Sequence, residues 1–444
     1  MKKYLIYTYG CQMNVHESEK LAGILEDFGY TATLNKFDAD VIVFNTCAIR
    51  ESAEQKILGN IGDLKNLKKQ KPNMIIAVCG CMSQQNGYAD ILKAKFPFID
   101  IIFGTHNISK FGDFLEQKML GKKRVIEVCE TENILNRDTM KKIRTSGVNA
   151  WINIMYGCNN FCTYCIVPYV RGREVSRPKE DILNEIKEVL KQGFKQITLL
   201  GQNVNSYGND NPEKFGNFAE LLQDIDNIEG EFWVKFMTSH PKDLSKEVID
   251  VIAKSNKICH YLHLPVQSGS NRILKLMNRN YTVQKYLDLI NYAKEKITDV
   301  EFSSDIIVGF PTETEEDFNM TLNIVKEVGF EQLFSFMYSK RKGTVAEKLE
   351  GQIPLAVKKE RLAKLNALEK EIASNISDKF VGKTCKVLVE DVHPKNKNLL
   401  IGQTFNGKTI SFEGDKRLIG SFVNIKVKSA KLTTISGVLV EEDV

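Results

Sequence analysis

The three thiols of Cys158-Asn-Asn-Phe-Cys162-Thr-Tyr-Cys165 have the spacing in this chain that most directly suggests chemistry. Thiolates separated in this way can hold three irons of a cubane 4Fe–4S cluster, and no further cysteine lies nearby to take the last iron. An open iron of that kind can bind the amino and carboxylate groups of S-adenosylmethionine, and an electron from the cluster can then cleave the sulfonium to a 5′-deoxyadenosyl radical. Tyr164, just before the last thiol, is placed to pack beside an adenine. Two plainer readings compete: a zinc site, which wants a fourth ligand to close its tetrahedron, and cysteines that only pack. Ten cysteines occur in all, and three others, Cys11, Cys47 and Cys81, each follow a β-rich apolar run.

Those runs, residues 4–9, 41–45 and 74–78, alternate with helix-like stretches such as 18–28, whose apolar positions are Leu21, Ile24, Leu25 and Phe28. The pattern reads as βαβαβ with parallel strands. The carboxyl ends of such strands share one edge, and the loops leaving it form the ligand crevice of open α/β folds, which can gather three cysteines distant in sequence. Between Cys129 and Gly147 the chain turns polar and charged, the composition of a linker. Strand-like runs then recur at 151–156, 196–200, 232–238, 259–264, 300–308 and 332–338, with amphipathic helices between them. One helical stripe, Ile182, Leu183, Ile186, Val189 and Leu190, starts after Pro178 and stops at Gly193. Six β/α repeats predict a partial TIM-type barrel with function at the carboxyl ends of its strands. Residues 353–380 read as one long charged helix, and five short glycine-punctuated runs after Gly382 suit a small antiparallel β-barrel, an architecture that often binds oligonucleotides. The expected class is α/β: an amino-terminal open parallel α/β domain over 1–140, a central partial (β/α)6 barrel over 144–378 and a small β-barrel over 379–444.

Residues 156–174, Tyr-Gly-Cys-Asn-Asn-Phe-Cys-Thr-Tyr-Cys-Ile-Val-Pro-Tyr-Val-Arg-Gly-Arg-Glu, resemble the methylthiotransferases of the radical S-adenosylmethionine superfamily. Tyr9-Gly10-Cys11-Gln12-Met13-Asn14 and Asn45-Thr46-Cys47 are similar to the amino-terminal domain of those members that act on N(6)-dimethylallyladenosine in tRNA, and the resemblance spans essentially the whole chain. It implies that Cys158, Cys162 and Cys165 hold the radical-forming cluster and that Cys11, Cys47 and Cys81 hold an auxiliary 4Fe–4S cluster whose open iron carries the transferred sulfur. Cys79 competes with Cys81; Gly80-Cys81-Met82-Ser83-Gln84 fits the family pattern, whereas Cys79 continues the apolar strand. Cys129, Cys259 and Cys385 sit in strand-like runs and read as buried hydrophobes. At the barrel mouth the resemblance implies S-adenosylmethionine contacts by Tyr164, Gln202, Asn203, Ser239, His240, Gln267 and Asp305, with support of a neighbouring contact residue the plainer role for each. His240 and His263 are not assigned as general bases, because hydrogen abstraction by a deoxyadenosyl radical needs none.

Arg171, Arg173 and Arg177 beside the cysteine loop, and Lys340, Arg341 and Lys342 at a strand end, are candidates for neutralising RNA phosphates, against the plainer reading of a solvated charged face. The carboxyl-terminal barrel resembles a TRAM domain; from Asp378 onward it carries eleven Lys or Arg against eight Asp or Glu, and has Gly402-Gln403-Thr404 where relatives often have Gly-Arg-Thr. The implied reaction adds a methylthio group to carbon 2 of the N(6)-dimethylallyladenosine just 3′ of the anticodon, consuming two equivalents of S-adenosylmethionine. Partners would be the tRNA anticodon stem-loop, whose splayed bases proteins can reach, an electron donor such as flavodoxin or ferredoxin, and a sulfur source. Rival readings are a methylthiotransferase for threonylcarbamoyladenosine or for a ribosomal protein, and a non-catalytic iron–sulfur or zinc RNA-binding protein. A net charge of +5 permits a polyanionic partner without identifying one. No stretch is apolar enough for a signal peptide or a membrane span, which predicts a cytoplasmic protein whose thiols stay reduced.

Overall fold

Strands that are apolar at every position need cover on both faces, and the amino-terminal sheet has it. Val41, Val43, Ile75, Ala77, Cys79, Ile101 and Phe103 pack into a core on one side. Ile42, Phe44, Ile76, Val78 and Ile102, the alternate positions, pack into a second core on the other. The computed structural model describes residues 1–48, 51–129 and 140–440, the side chains of 51–53 excepted. Its first sheet contains β1 (Lys3–Thr8), β2 (Thr31–Ala32), β3 (Val41–Thr46), β4 (Ile75–Gly80), β5 (Ile101–Phe103) and β6 (Val125–Glu127), in the order β2-β1-β3-β4-β5-β6 and parallel throughout. The order reverses between β1 and β3, and crevices of doubly wound sheets open at the carboxyl side of such a point. Helix α1 (Gln12–Asp27) follows β1 directly and buries Leu21, Ala22 and Leu25 in the first core.

The chain divides into two compact units, residues 1–145 with 156–159 and 165–175, and residues 146–155 with 160–164 and 176–444. Part of the linker expected at 129–147 lies outside the described residues. Past the gap, the backbone N–H of Ile143 donates to Glu19 O (3.0 Å).

In the second unit six parallel strands follow the predicted order. β7 (Asn149–Asn153) comes first, then a two-strand ribbon of β8 (Met155–Tyr156) and β9 (Val175–Ser176), then β10 (Gln196–Leu200), β11 (Trp233–Phe236), β12 (Tyr261–His263), β13 (Glu301–Val308) and β14 (Gln332–Met337). They form two three-stranded sheets, β11-β10-β7 and β12-β13-β14, joined by a bridge between Val234 and Ile258: a partial (β/α)6 barrel. The intervening helices carry their signals locally. Lys179–Lys191 begins after Pro178, has Glu180 and Asp181 in its first turn and buries Ile182, Ile186 and Val189. Glu315–Val328 is opened by a capping box between Thr314 and Asp317 and ends at Gly329 in the left-handed region. The long helix expected over 353–380 spans Leu355–Asp378.

β15 (Thr384–Val392), β16 (Leu399–Thr404), β17 (Thr409–Glu413), β18 (Phe422–Lys431) and β19 (Thr434–Leu439) close the small barrel in the order β15-β16-β17-β19-β18. It differs from the antiparallel expectation in one pairing, since β17 and β19 run parallel. The reason is connectivity: β18 crosses to pair with β15, so β19, hairpinned to β18, fills the gap beside β17 in the same direction. Trp233, Cys259 and Leu388 bury a seam between the two barrels, with Phe405 and Phe422 packed on it.

Glu301, at the start of β13, is pushed up to about 7 by burial, a shift that Lys408 reduces and Glu331 reinforces. A carboxyl whose folded pKa lies above its unfolded value of 4.5 adds stability below that value and loses it as pH rises through about 7. Glu301→Gln should therefore remove a fall in urea midpoint between pH 5 and pH 8, and equal or exceed the parent at pH 8.

Candidate active site

Cys11, Cys47 and Cys81 leave the carboxyl ends of β1, β3 and β4, on the loops that flank the switch point. Gly10 sits at φ +105, and a Cβ there would stand 2.7 Å from Cys47 Sγ, so only glycine lets these two loops approach so closely. Asn14 ties them together: its Nδ2 donates to Tyr9 O (2.7 Å) and Thr46 O (2.9 Å). Cys81 opens a short helix, Cys81–Gln84, and packs with Ala48, Ile166 and Val170. Cys79 lies inside β4, and its side chain belongs to the sheet's first core. Burial pushes the Cys81 thiol up to about 12; Arg171 pulls against that shift, while Glu17, Cys11 and Cys47 add to it. The Cys81 thiol therefore lies within electrostatic reach of Cys11 and Cys47, and Cys81 and Cys11 lie within reach of one buried cation.

That cation corrects an expectation. Arg171, read from sequence as a phosphate contact, is buried: Nη1 donates to Glu17 Oε1 (2.7 Å) and Nη2 to Asn14 Oδ1 (2.7 Å). Arg177 is buried as well, donating to Asn153 O (2.5 Å) and pairing with Glu185 (3.0 Å). Neither guanidinium is a surface group. Arg173 is exposed and Arg341 half-buried beyond β14, with Lys340 and Lys342 exposed on either side.

The cysteine loop is pinned in each unit separately. In the first, Cys158 N donates to Gly172 O (3.1 Å) and Asn159 N to Glu174 Oε1 (3.0 Å). Gly157, at φ +73, has Arg173 O 1.9 Å from where a Cβ would stand, so no side chain fits there. In the second, Asn278 Nδ2 donates to Asn160 O and Phe161 O, and Thr163 N to Met277 O, which fix the middle of the loop. Cys162 faces a buried arginine that sequence reading missed: Arg279 Nη1 lies 3.5 Å from its Sγ, with Nη2 on Pro265 O and Nε on Tyr281 Oη. Arg279 carried no motif and stands 117 residues from its sulfur partner, so nothing local announced it. Tyr164 packs on a small cluster of Ile273, Met277, Phe310 and Tyr338.

Buried polar atoms with no hydrogen-bond partner among the described residues gather at the carboxyl ends of β7, β10 and β11. They include both amide atoms of Asn153 and of Asn205, Gln202 Oε1, Asn203 Oδ1 and His240 Nε2. Such atoms are costly to leave unsatisfied, and a polar ligand seated at the barrel mouth would satisfy them. Asn153 and Asn205 were not among the expected contacts. Asn203 Nδ2 is already spent on Asp243 (2.7 Å), a supporting bond. His240 is lowered to about 2 by burial, then by Arg279 and Lys242, so it stays neutral and offers a hydrogen bond, not a proton reservoir. Ser239 is buried beside it. Gln267, at φ +66, is held against β13 by its N–H to Asp305 O (2.9 Å), and Asp305 Oδ1 lies 3.8 Å from His263 Nε2.

Of the remaining thiols, Cys259 is buried in the inter-barrel seam and Cys385 half-buried against the small barrel's core. Cys129 differs from the buried expectation: it is half-exposed, and Asn107 Nδ2 lies 3.1 Å from its Sγ. Gln403, where an arginine was noted as missing, accepts from Lys235 of β11. Among the described residues no three His, Cys, Asp or Glu side chains converge closely enough to hold a single metal ion. A cubane asks for something else, three thiolates on three separate iron corners, and the donor set Cys11, Cys47 and Cys81 has that chemistry.

Residues 152–325 match the Radical SAM superfamily, residues 3–104 match Uncharacterized protein family UPF0004, and residues 378–440 match the TRAM domain. The chain is 50% identical over 439 residues to the tRNA-2-methylthio-N(6)-dimethylallyladenosine synthase of Thermoanaerobacter pseudethanolicus, covering 99% of this chain and 93% of that one. It is 51% identical over 435 residues to the protein of the same name from Clostridium botulinum, covering 98% and 96%. Among solved structures it is similar to the radical S-adenosylmethionine methyltransferase TsrM of Kitasatospora setae, with a TM-score of 0.56 and 11% identity over 78% of this chain and 74% of that one; this likeness is one of fold.

Proposed function

We infer the reaction from one premise: the chain belongs to the tRNA-2-methylthio-N(6)-dimethylallyladenosine synthase family. It is a radical S-adenosylmethionine tRNA methylthiotransferase that places a methylthio group on carbon 2 of N(6)-dimethylallyladenosine next to the anticodon. Its superfamily brings one 4Fe–4S cluster and S-adenosylmethionine. Cys158, Cys162 and Cys165 would hold that cluster, and Cys11, Cys47 and Cys81 a second. When bound, the first would supply reductive cleavage of one S-adenosylmethionine, and the second a sulfur that takes its methyl group from another S-adenosylmethionine. The observation that carries the reading is the meeting of Cys11, Cys47 and Cys81 at one crevice in a chain that also has the Cys158–Cys165 loop.

The protein's own groups then bind and orient. Arg279 holds Cys162 through the contact of its Nη1 with the sulfur and would set a positive charge beside a cluster bound there. Asn153, Gln202, Asn203, Asn205 and His240 offer polar atoms to S-adenosylmethionine, with Ser239, Gln267 and Asp305 beside or across the mouth, and Tyr164 offers an aromatic face. Arg173 and Arg341 are left as phosphate contacts, together with the small barrel, while Arg171 and Arg177 serve inside. The three-part division at 1–140, 144–378 and 379–444, an electron donor of the flavodoxin or ferredoxin class, a separate sulfur source and a cytoplasmic location complete the reading. Among the described residues no helix is long and apolar enough to cross a membrane.

Anaerobically reconstituted protein given reductant and S-adenosylmethionine should form 5′-deoxyadenosine, and Cys162→Ala should form none. Equal amounts from both would remove the loop from the radical step.

A further inference from the structure

Helix α1 is a helix whose charged side is also buried. Asn14, His16, Glu17, Ser18, Glu19 and Lys20 are all nearly inaccessible. Burying charge is expensive unless it is paired, and well-packed apolar groups would usually serve stability as well or better, so the polar pairs made by α1 call for another account. Two of them reach the ends of the cysteine loop that lie in the same unit. Lys20 Nζ meets Tyr156 Oη (3.1 Å), two residues before Cys158. Glu17 and Asn14 grip Arg171, six residues after Cys165, and Glu17 Oε2 also lies 3.3 Å from Arg171 Nη2.

Arg171 closes the short helix Val167–Arg171, whose Val170 packs against Cys81 and whose Val170 O accepts from Thr105 Oγ1 (2.5 Å). The amide that receives Arg171 is the same Asn14 side chain that ties the Cys11 loop to the Cys47 loop. One guanidinium, 6% exposed, is thus fixed near the Cys81 and Cys11 thiols, with the Glu17 carboxylate opposing it. Its charge does not titrate in the working range. The potential of an iron–sulfur cluster follows net local charge and burial, and a fixed buried cation favours the reduced, more negative state.

We propose that Arg171 is a positioning residue whose buried charge, opposed by Glu17, sets the reduction potential of a cluster held by Cys11, Cys47 and Cys81. This rests on the reading of those cysteines as a cluster site. The test uses the full chain with Cys158, Cys162 and Cys165 replaced by alanine, so that only the amino-terminal thiols take iron. Reconstituted with iron and sulfide, it is titrated under electron paramagnetic resonance. Arg171→Met should shift the midpoint negative by at least tenfold in the reduction equilibrium, ~59 mV for one electron. Arg171→Lys, which keeps a charge, should shift it less, and Glu17→Gln should shift it positive. If Arg171→Met fails to fold, the opposite shifts of Arg171→Lys and Glu17→Gln still decide. Unmoved potentials at full iron content, or shifts of one sign in all variants, overturn the role of Arg171 and leave the cluster reading standing. A triple-alanine parent that takes no iron overturns both.

Discussion

Cys11→Ala is expected to abolish methylthiolated product while leaving reductive cleavage of S-adenosylmethionine close to the parent level. Cys11 is exposed and stands at the N-cap of α1, where it makes no side-chain capping bond, so alanine there costs the fold little. The Cys158–Cys165 loop and the polar atoms at the barrel mouth are untouched by the change. The variant therefore separates the two cysteine sets: 5′-deoxyadenosine should still appear, with no 2-methylthio nucleoside. Loss of both products together would mean that Cys11 supports the radical site itself, and retention of both would take Cys11 out of the chemistry.

The largest stability effect is expected at Lys408. Its ammonium is fully buried, 3.0 Å from Glu331 Oε1 and 3.0 Å from Ser377 Oγ. It fastens the small barrel to the strand entry before β14 and to the end of the long helix Leu355–Asp378. Lys408→Met strands Glu331 in a dry site, and removing one partner of a buried pair costs about 3–5 kcal/mol. Burial already holds Glu331 above the usual carboxylate range with Lys408 present, and without it the carboxyl rises further. A raised folded pKa contributes stability below the unfolded value and loses it as pH rises, so the variant's deficit should be small near pH 4.5 and grow toward neutrality. Lys408→Met with Glu331→Gln should recover much of the loss at pH 8, as read by urea midpoints; equal deficits at all pH would contradict the account.

What could be read beforehand follows the range of the interactions involved. The order of strands and the stripes of the amphipathic helices depend on neighbours within a few residues, and Cys79 continues β4 into the sheet's core as its apolar surroundings predicted. Arg171 was misread because a basic residue beside an arginine-rich stretch resembles a solvated face until its partner is known, and Glu17 lies 154 residues away. Arg177 was misread for the same reason, its main-chain acceptor on Asn153 being set by the return of the chain past β7. Arg279 and the amides of Asn153 and Asn205 were missed because their roles exist only once the barrel brings strand ends together. The parallel pairing of β17 with β19 is likewise a property of how β18 crosses, which no single run of residues encodes.

The most direct measurement of the central claim is mass spectrometry of nucleosides digested from tRNA carrying N(6)-dimethylallyladenosine, after anaerobic incubation with reconstituted protein, reductant, S-adenosylmethionine and a sulfur source. The account predicts 2-methylthio-N(6)-dimethylallyladenosine, formed by the parent and absent with either Cys11→Ala or Cys162→Ala. Cleavage of S-adenosylmethionine with this tRNA left unmodified, while tRNA carrying threonylcarbamoyladenosine gains the methylthio group, would contradict it.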